Sequence, residues 1–188
     1  MNRAWMVTMA VAAAMETQAA SPKPRVDALV TVFTYNLAAV PRNVMTRAKR
    51  VATAAFAAAG IEVRWVEGKH LGEQREVASG EMRNVVFDGA APASFRPQAM
   101  AVTNVGLGAG SDVHVFYNRV LAFQDSAYMP EFLGNVLAHE LTHALEGVAR
   151  HSSRGLMKAV WSDDDIAEMF RGPLPFAAED LDLLRAHF

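Results

Sequence analysis

The residues best equipped for chemistry lie together in the stretch HELTHALEGVARH, from His139 to His151. In a helix, residues four apart share a face, offset by roughly 40° of rotation and one turn of rise. His139 and His143 can therefore aim two imidazoles at one ion. Glu140 is rotated off that axis, where its carboxylate reaches a water on such an ion rather than the ion itself. Two imidazoles beside a carboxylate suit Zn²⁺, which takes nitrogen donors in a tetrahedral shell and keeps a position open in catalytic sites. Gly147 stands four residues past His143, where a chain leaving a helix needs a left-handed residue. Four residues further, His151 can fold back as a third ligand, with Asp163 or Asp164 as the alternative oxygen donors. Ligating histidines usually give their second N–H to a carboxylate or carbonyl; Glu146 and Asp163 to Asp165 are the carboxylates near in sequence. The chain has no cysteine, so disulfides and thiolate metal sites are excluded.

This segment resembles the metzincin clan of zinc metalloproteases, whose pattern H-E-x-x-H-x-x-G-x-x-H precedes a methionine in a tight turn. His139, Glu140 and His143 match directly. Gly147 and His151 match with one extra residue on each side of the glycine, and Arg154-Gly155-Leu156-Met157 looks like the Met-turn. The likeness runs from Leu137 to Trp161, and over that stretch the chain is also similar to small secreted bacterial proteins predicted to be metalloproteases. The resemblance implies one Zn²⁺ per chain on His139, His143 and His151. It also implies Glu140 as general base in peptide-bond hydrolysis and Met157 as an apolar floor under the ligands. A zincin-like domain further implies an active-site helix packed under a sheet whose antiparallel edge strand pairs with an extended peptide. Residues 112–118 are the expected edge.

The elements that must position these side chains follow from periodicity. Residues 28–36 (ALVTVFTYN) are β-branched and aromatic, as in a strand covered on both faces. Pro41 is placed to open a helix, with Val44, Ala48, Val51, Ala55 and Ala59 as its apolar stripe and Gly60 as its stop. Ile61, Val63 and Trp65 then alternate with charged residues as a half-exposed strand, and so long a crossover favours a parallel pair. Residues 83–88 and 99–105 read as further strands, and GLGAG at 106–110 as a turn before the strand 112–118. That glycine run lacks the Lys-Ser/Thr of a phosphate loop. Pro130 begins the helix that carries the histidines, and Phe132, Val136, Leu137, Leu141 and Leu145 give it its own reason to pack. Ser162 and Asp165 form a capping box for the next helix. A last helix, 177–187, is expected to dock through Leu181 and Leu184. His70, His114 and His187 have no partner spacing and read as structural or exposed. The fold class is α+β with an α/β-like first half: a mixed twisted sheet with a backing helix, then a helical half bearing the ligands.

Composition sets the outer limits. The chain has 188 residues, of which 52% are hydrophobic, enough for one core. Its net charge of −2 and lack of a basic stripe give no support to a nucleic-acid partner. Met1-Asn2-Arg3, an apolar run from Ala4 to Met15, and Thr17-Gln18-Ala19 read as a bacterial signal peptide, residues 1–20. The expected cleavage lies near Ala19 or Ala20, with secretion or periplasmic export, leaving one catalytic domain over 26–188. The apolar run is too short to span a bilayer core of about 30 Å. Three functional readings follow: a secreted zinc endopeptidase, a zinc hydrolase of cell-wall peptides or other amides, and a catalytically silent binding domain. Glu140 argues against the last, because a structural zinc site fills all four positions and has no use for a base. The sequence fixes no oligomeric state.

Overall fold

The computed structural model describes residues 28–70, 80–96, 99–105, 112–123 and 127–188. The expected signal peptide and the GLGAG turn lie outside the described residues.

Strand β1 (Ala28–Asn36), helix α1 (Arg42–Ala58) and strand β2 (Ile61–Glu67) form the expected crossover unit, with β1 and β2 parallel and Val30 opposite Val63. The turn into α1 is shaped by Asn36, whose side chain donates to the Val40 carbonyl at 3.0 Å and accepts from the Val40 amide at 2.8 Å. Pro41 is the residue just before the helix rather than its first member. The buried stripe is Met45, Ala48, Ala52, Ala55 and Phe56, displaced from the expected one because Phe56 and Met45 carry more apolar surface than Val44 and Val51.

Strands β3 (Glu81–Asp88), β4 (Ala101–Thr103) and β5 (Asp112–Phe116) complete a five-stranded sheet in the order β2-β1-β3-β5-β4. All pairs are parallel except β4 with β5, where Val102 lies opposite His114. This corrects the expected edge at 112–118. β5 is an interior strand, and the antiparallel edge is the short β4. Alternation alone does not say which neighbours a strand acquires, and β5 is covered on both faces: Val113 and Val115 point into the main core, while Phe116 packs against Phe95 on the other side. The strand also ends early, since Tyr117 and Asn118 begin helix α2 (Tyr117–Phe123).

Helix α3 (Met129–Glu146) packs between α1 and the sheet on one side and the C-terminal segment on the other. Only Glu131, Glu140 and Glu146 along it are not fully buried. Gly134 is required where α3 crosses α1: a Cβ there would lie 2.5 Å from the Val51 Cβ and 2.8 Å from the Ala48 carbonyl. Helix α4 (Asp163–Met169) starts at the expected Ser162–Asp165 capping box, and α5 (Ala178–His187) closes the chain. α5 docks through Leu184 and Asp180, with Leu181 only half-buried. Among the described residues no helix is long and apolar enough to cross a membrane.

Candidate metal centre

The structure brings His139, His143 and His151 together, with one ring nitrogen of each within 4.8 Å of the others. His139 and His143 lie one turn apart on α3, and their Nε2 atoms are 3.1 Å apart. The opposite ring nitrogens are both committed: His139 Nδ1 donates to the Leu156 carbonyl at 2.9 Å and His143 Nδ1 to the Val148 carbonyl at 3.1 Å. A carbonyl only accepts, so each imidazole carries its proton on Nδ1 and a lone pair on Nε2. Burial holds both histidines to pKa values of about 4, well below 6.5, so both are neutral near pH 7. Two lone pairs facing each other at 3.1 Å repel unless a cation lies between them. The separation matches the roughly 3.3 Å expected of two nitrogens at 2.0–2.1 Å from one tetrahedral Zn²⁺. The donor set therefore fits a zinc ion.

Both partners are backbone carbonyls, a choice the sequence left open between carbonyls and the nearby carboxylates. Glu146 points toward Arg150, and Asp165 caps α4 and pairs with Lys158. Asp163 and Asp164 are exposed and lie outside the histidine group, so His151 is the third donor the fold provides. The His151 ring centroid is 5.4 Å from that of His139 and 5.0 Å from that of His143.

Two turns set these positions. Gly147 ends α3 with φ 67°, as expected, and its amide closes on the His143 carbonyl at 3.0 Å. This reversal carries Val148 back over His143. The second turn is built around Gly155, with φ 72° and no room for a Cβ, which would sit 2.3 Å from the Pro175 carbonyl. Ser152 N donates to the Met157 carbonyl at 2.8 Å, and Leu156 N to Pro175 at 2.8 Å. Leu156 is thereby fixed with its carbonyl toward His139, and that carbonyl also accepts from Trp161 Nε1 at 3.1 Å. The Trp161 ring meets the His139 ring edge-on at 5.5 Å. Met157 is fully buried in this turn.

Glu140 faces the sheet edge. Its Oε2 accepts a 2.6 Å hydrogen bond from the hydroxyl of Thr103 on β4, a hydroxyl that also lies 3.0 Å from the Glu140 carbonyl. Burial raises the pKa of this carboxyl, opposed by the Thr103 bond and by His143 and His151.

Sequence reasoning missed Thr103, Asp180 and Asn135. Asn135, buried in α3, accepts from Leu174 N at 2.8 Å and so pins the C-terminal segment to the helix. Asp180 is fully buried and holds Arg150 and Ser152. None of the three had a signal in the sequence, because each acts on a partner more than 25 residues away. Of the remaining histidines, His114 pairs with Asp88 at 2.8 Å and His187 with Glu81 at 2.6 Å, both far in chain from the cluster.

No family model and no curated protein sequence matches the chain. Among solved structures it is similar to archaemetzincin from Methanopyrus kandleri. The TM-score is 0.54 at 14% identity, over 85% of this chain and 94% of that one. A second similarity, to the GM1-bound ECX AB5 holotoxin, has a TM-score of 0.48 at 11% identity over 86% and 80% of the two chains, too low to argue from. The archaemetzincin likeness supports a distant metzincin-like α+β fold, here with a cluster of two buried histidines and the exposed His151 that could hold a metal.

Proposed function

We propose that this chain is a zinc-dependent peptidase in which His139, His143 and His151 hold the metal and Glu140 is the general base. The observation that carries the reading is the pair of Nε2 lone pairs converging at 3.1 Å while both Nδ1–H groups are tied to carbonyls. When bound, zinc supplies Lewis acidity, activating water and polarising a carbonyl. The protein's own groups do the rest. Glu140 takes a proton on Oε1, the oxygen left free by Thr103, and returns it to the departing amine. Thr103 fixes the carboxylate rotamer. Among the described residues β4 has no strand partner on the side away from β5, so its backbone can pair with an extended peptide regardless of that peptide's sequence. Thr103 thus links the strand that receives substrate to the base that acts on it. Met157, under the ligand turn, keeps Leu156 and hence His139 in place, the part a Met-turn methionine would play. Export is part of the proposal and rests on the signal-like first twenty residues.

The test is zinc content of the purified chain together with cleavage of a peptide library by wild type and Glu140→Gln. The reading expects about one zinc per chain in both and cleavage in wild type only. General-base loss typically costs about 10²–10⁴-fold. A zinc-loaded wild type that cuts cell-wall peptides but no library peptide would shift the substrate class. Cleavage unchanged in Glu140→Gln would refute the assigned base.

A further inference from the structure

His139 and His143 are held by a buried helix, but His151 is exposed and sits in an irregular segment between α3 and the following turn. Its two chain neighbours are not free. Arg150 Nη2 and Ser152 Oγ both donate to the same oxygen, Oδ1 of Asp180, each at 2.5 Å. Arg150 Nη1 also donates to Ser152 Oγ at 3.2 Å, closing a ring of contacts around the backbone that carries His151. The other Asp180 oxygen accepts from Ala177 N at 3.0 Å, which fixes the carboxylate to the start of α5. Asp180 is fully buried, so these bonds form without competition from water. On its far side the Arg150 guanidinium faces Glu146, the last residue of α3, with Nε 3.7 Å from Oε2. The arginine thus spans from the end of the helix bearing the first two ligands to the helix bearing Asp180.

We infer that Asp180 is the positioning residue for the third metal ligand: it clamps Arg150 and Ser152 on either side of His151 and holds that imidazole within reach of the other two. The inference rests on the zinc reading above. Without the clamp, metal binding would have to order this segment itself, and affinity would fall. Groups that orient ligands are typically worth about 10–100-fold in metal affinity.

The experiment measures zinc affinity by competition with a chromophoric chelator, and the melting temperature of the metal-free protein. The chains compared are wild type, Asp180→Asn, Ser152→Ala, His151→Ala and the double variant Asp180→Asn/His151→Ala. Asp180→Asn is expected to bind zinc about 10–100-fold more weakly, with Ser152→Ala falling by a smaller factor. Ser152→Ala leaves the Asp180 bond to α5 intact and so carries the test if Asp180→Asn does not fold. The double variant is expected to bind no more weakly than His151→Ala alone, because the clamp acts only through that ligand. Wild-type affinity in both Asp180→Asn and Ser152→Ala would overturn the inference. So would an Asp180→Asn loss that persists undiminished on the His151→Ala background, which marks a general structural role. A wild type that binds no zinc would instead overturn the zinc reading itself.

Discussion

At the scale of single residues, protonation state decides what the histidines can do. Burial puts His139 and His143 near pKa 4 instead of 6.5, so in the zinc-free protein their ring resonances are expected to titrate near pH 4 by NMR. Titration near 6.5 would mean the pair is solvated and not poised for a metal. The stability consequence has a definite sign. Between pH 6.5 and 4 the unfolded chain binds these protons and the folded chain does not, so their contribution drains as pH falls through that window. Glu146 opposes it. Burial raises this carboxyl to about 7 from 4.5, so the folded state binds its proton more tightly and gains as pH falls from 7 toward 4.5. Glu146→Gln should therefore make the metal-free protein lose stability more steeply between pH 7 and 5 than wild type, read as urea midpoints at both pH values. Thr103→Val is expected to keep its zinc yet lower kcat, with Thr103→Ser restoring it, because only the hydroxyl touches Glu140. The pairing of His139 with His143 was legible because a spacing of four residues is local geometry on one helix. Thr103 and Asp180 were not, because a threonine in a strand and an acid in a first helical turn look ordinary until folding supplies their partners.

At the scale of elements, the site depends on close contacts that glycine alone permits. Gly134→Ala would drive a methyl into Val51 and the Ala48 carbonyl, separating α1 from α3. The expected cost is about 1–3 kcal/mol, the usual range for overpacking, measured by denaturant unfolding. Gly155→Ala combines positive φ with a clash against Pro175. It should loosen the Leu156 carbonyl from His139 and weaken zinc binding as well as stability; loss of stability with unchanged zinc affinity would show that this turn does not orient the ligand. The helices that carry the site were readable from caps and stops: Gly147 and the Ser162–Asp165 box fell where their side-chain and backbone chemistry demands. The sheet order was not. The alternation at 113–116 identifies a strand but is silent on whether the segment just before it folds back to cover its edge. That covering by β4 places the antiparallel edge at Ala101–Thr103 instead of the expected 112–118.

At the scale of the whole molecule, one core holds a mixed sheet against two crossing helices, and the C-terminal segment returns to brace the histidines through Asn135, Leu156 and Asp180. That return is the part of the architecture least visible in the sequence, since its anchors are single polar groups acting across long chain separations. A metal bound at the junction of α3 and this segment should tie the two together. Zinc at about 1,000 times its dissociation constant would add about 4.1 kcal/mol by mass action, seen as a higher melting temperature that a chelator reverses. The central claim is that three imidazoles hold one zinc with a position left open. X-ray absorption at the zinc edge of the loaded protein tests it most directly. The account predicts three imidazole nitrogens at about 2.0–2.1 Å and one further oxygen donor. Two or fewer imidazoles, or an all-oxygen shell, would contradict it.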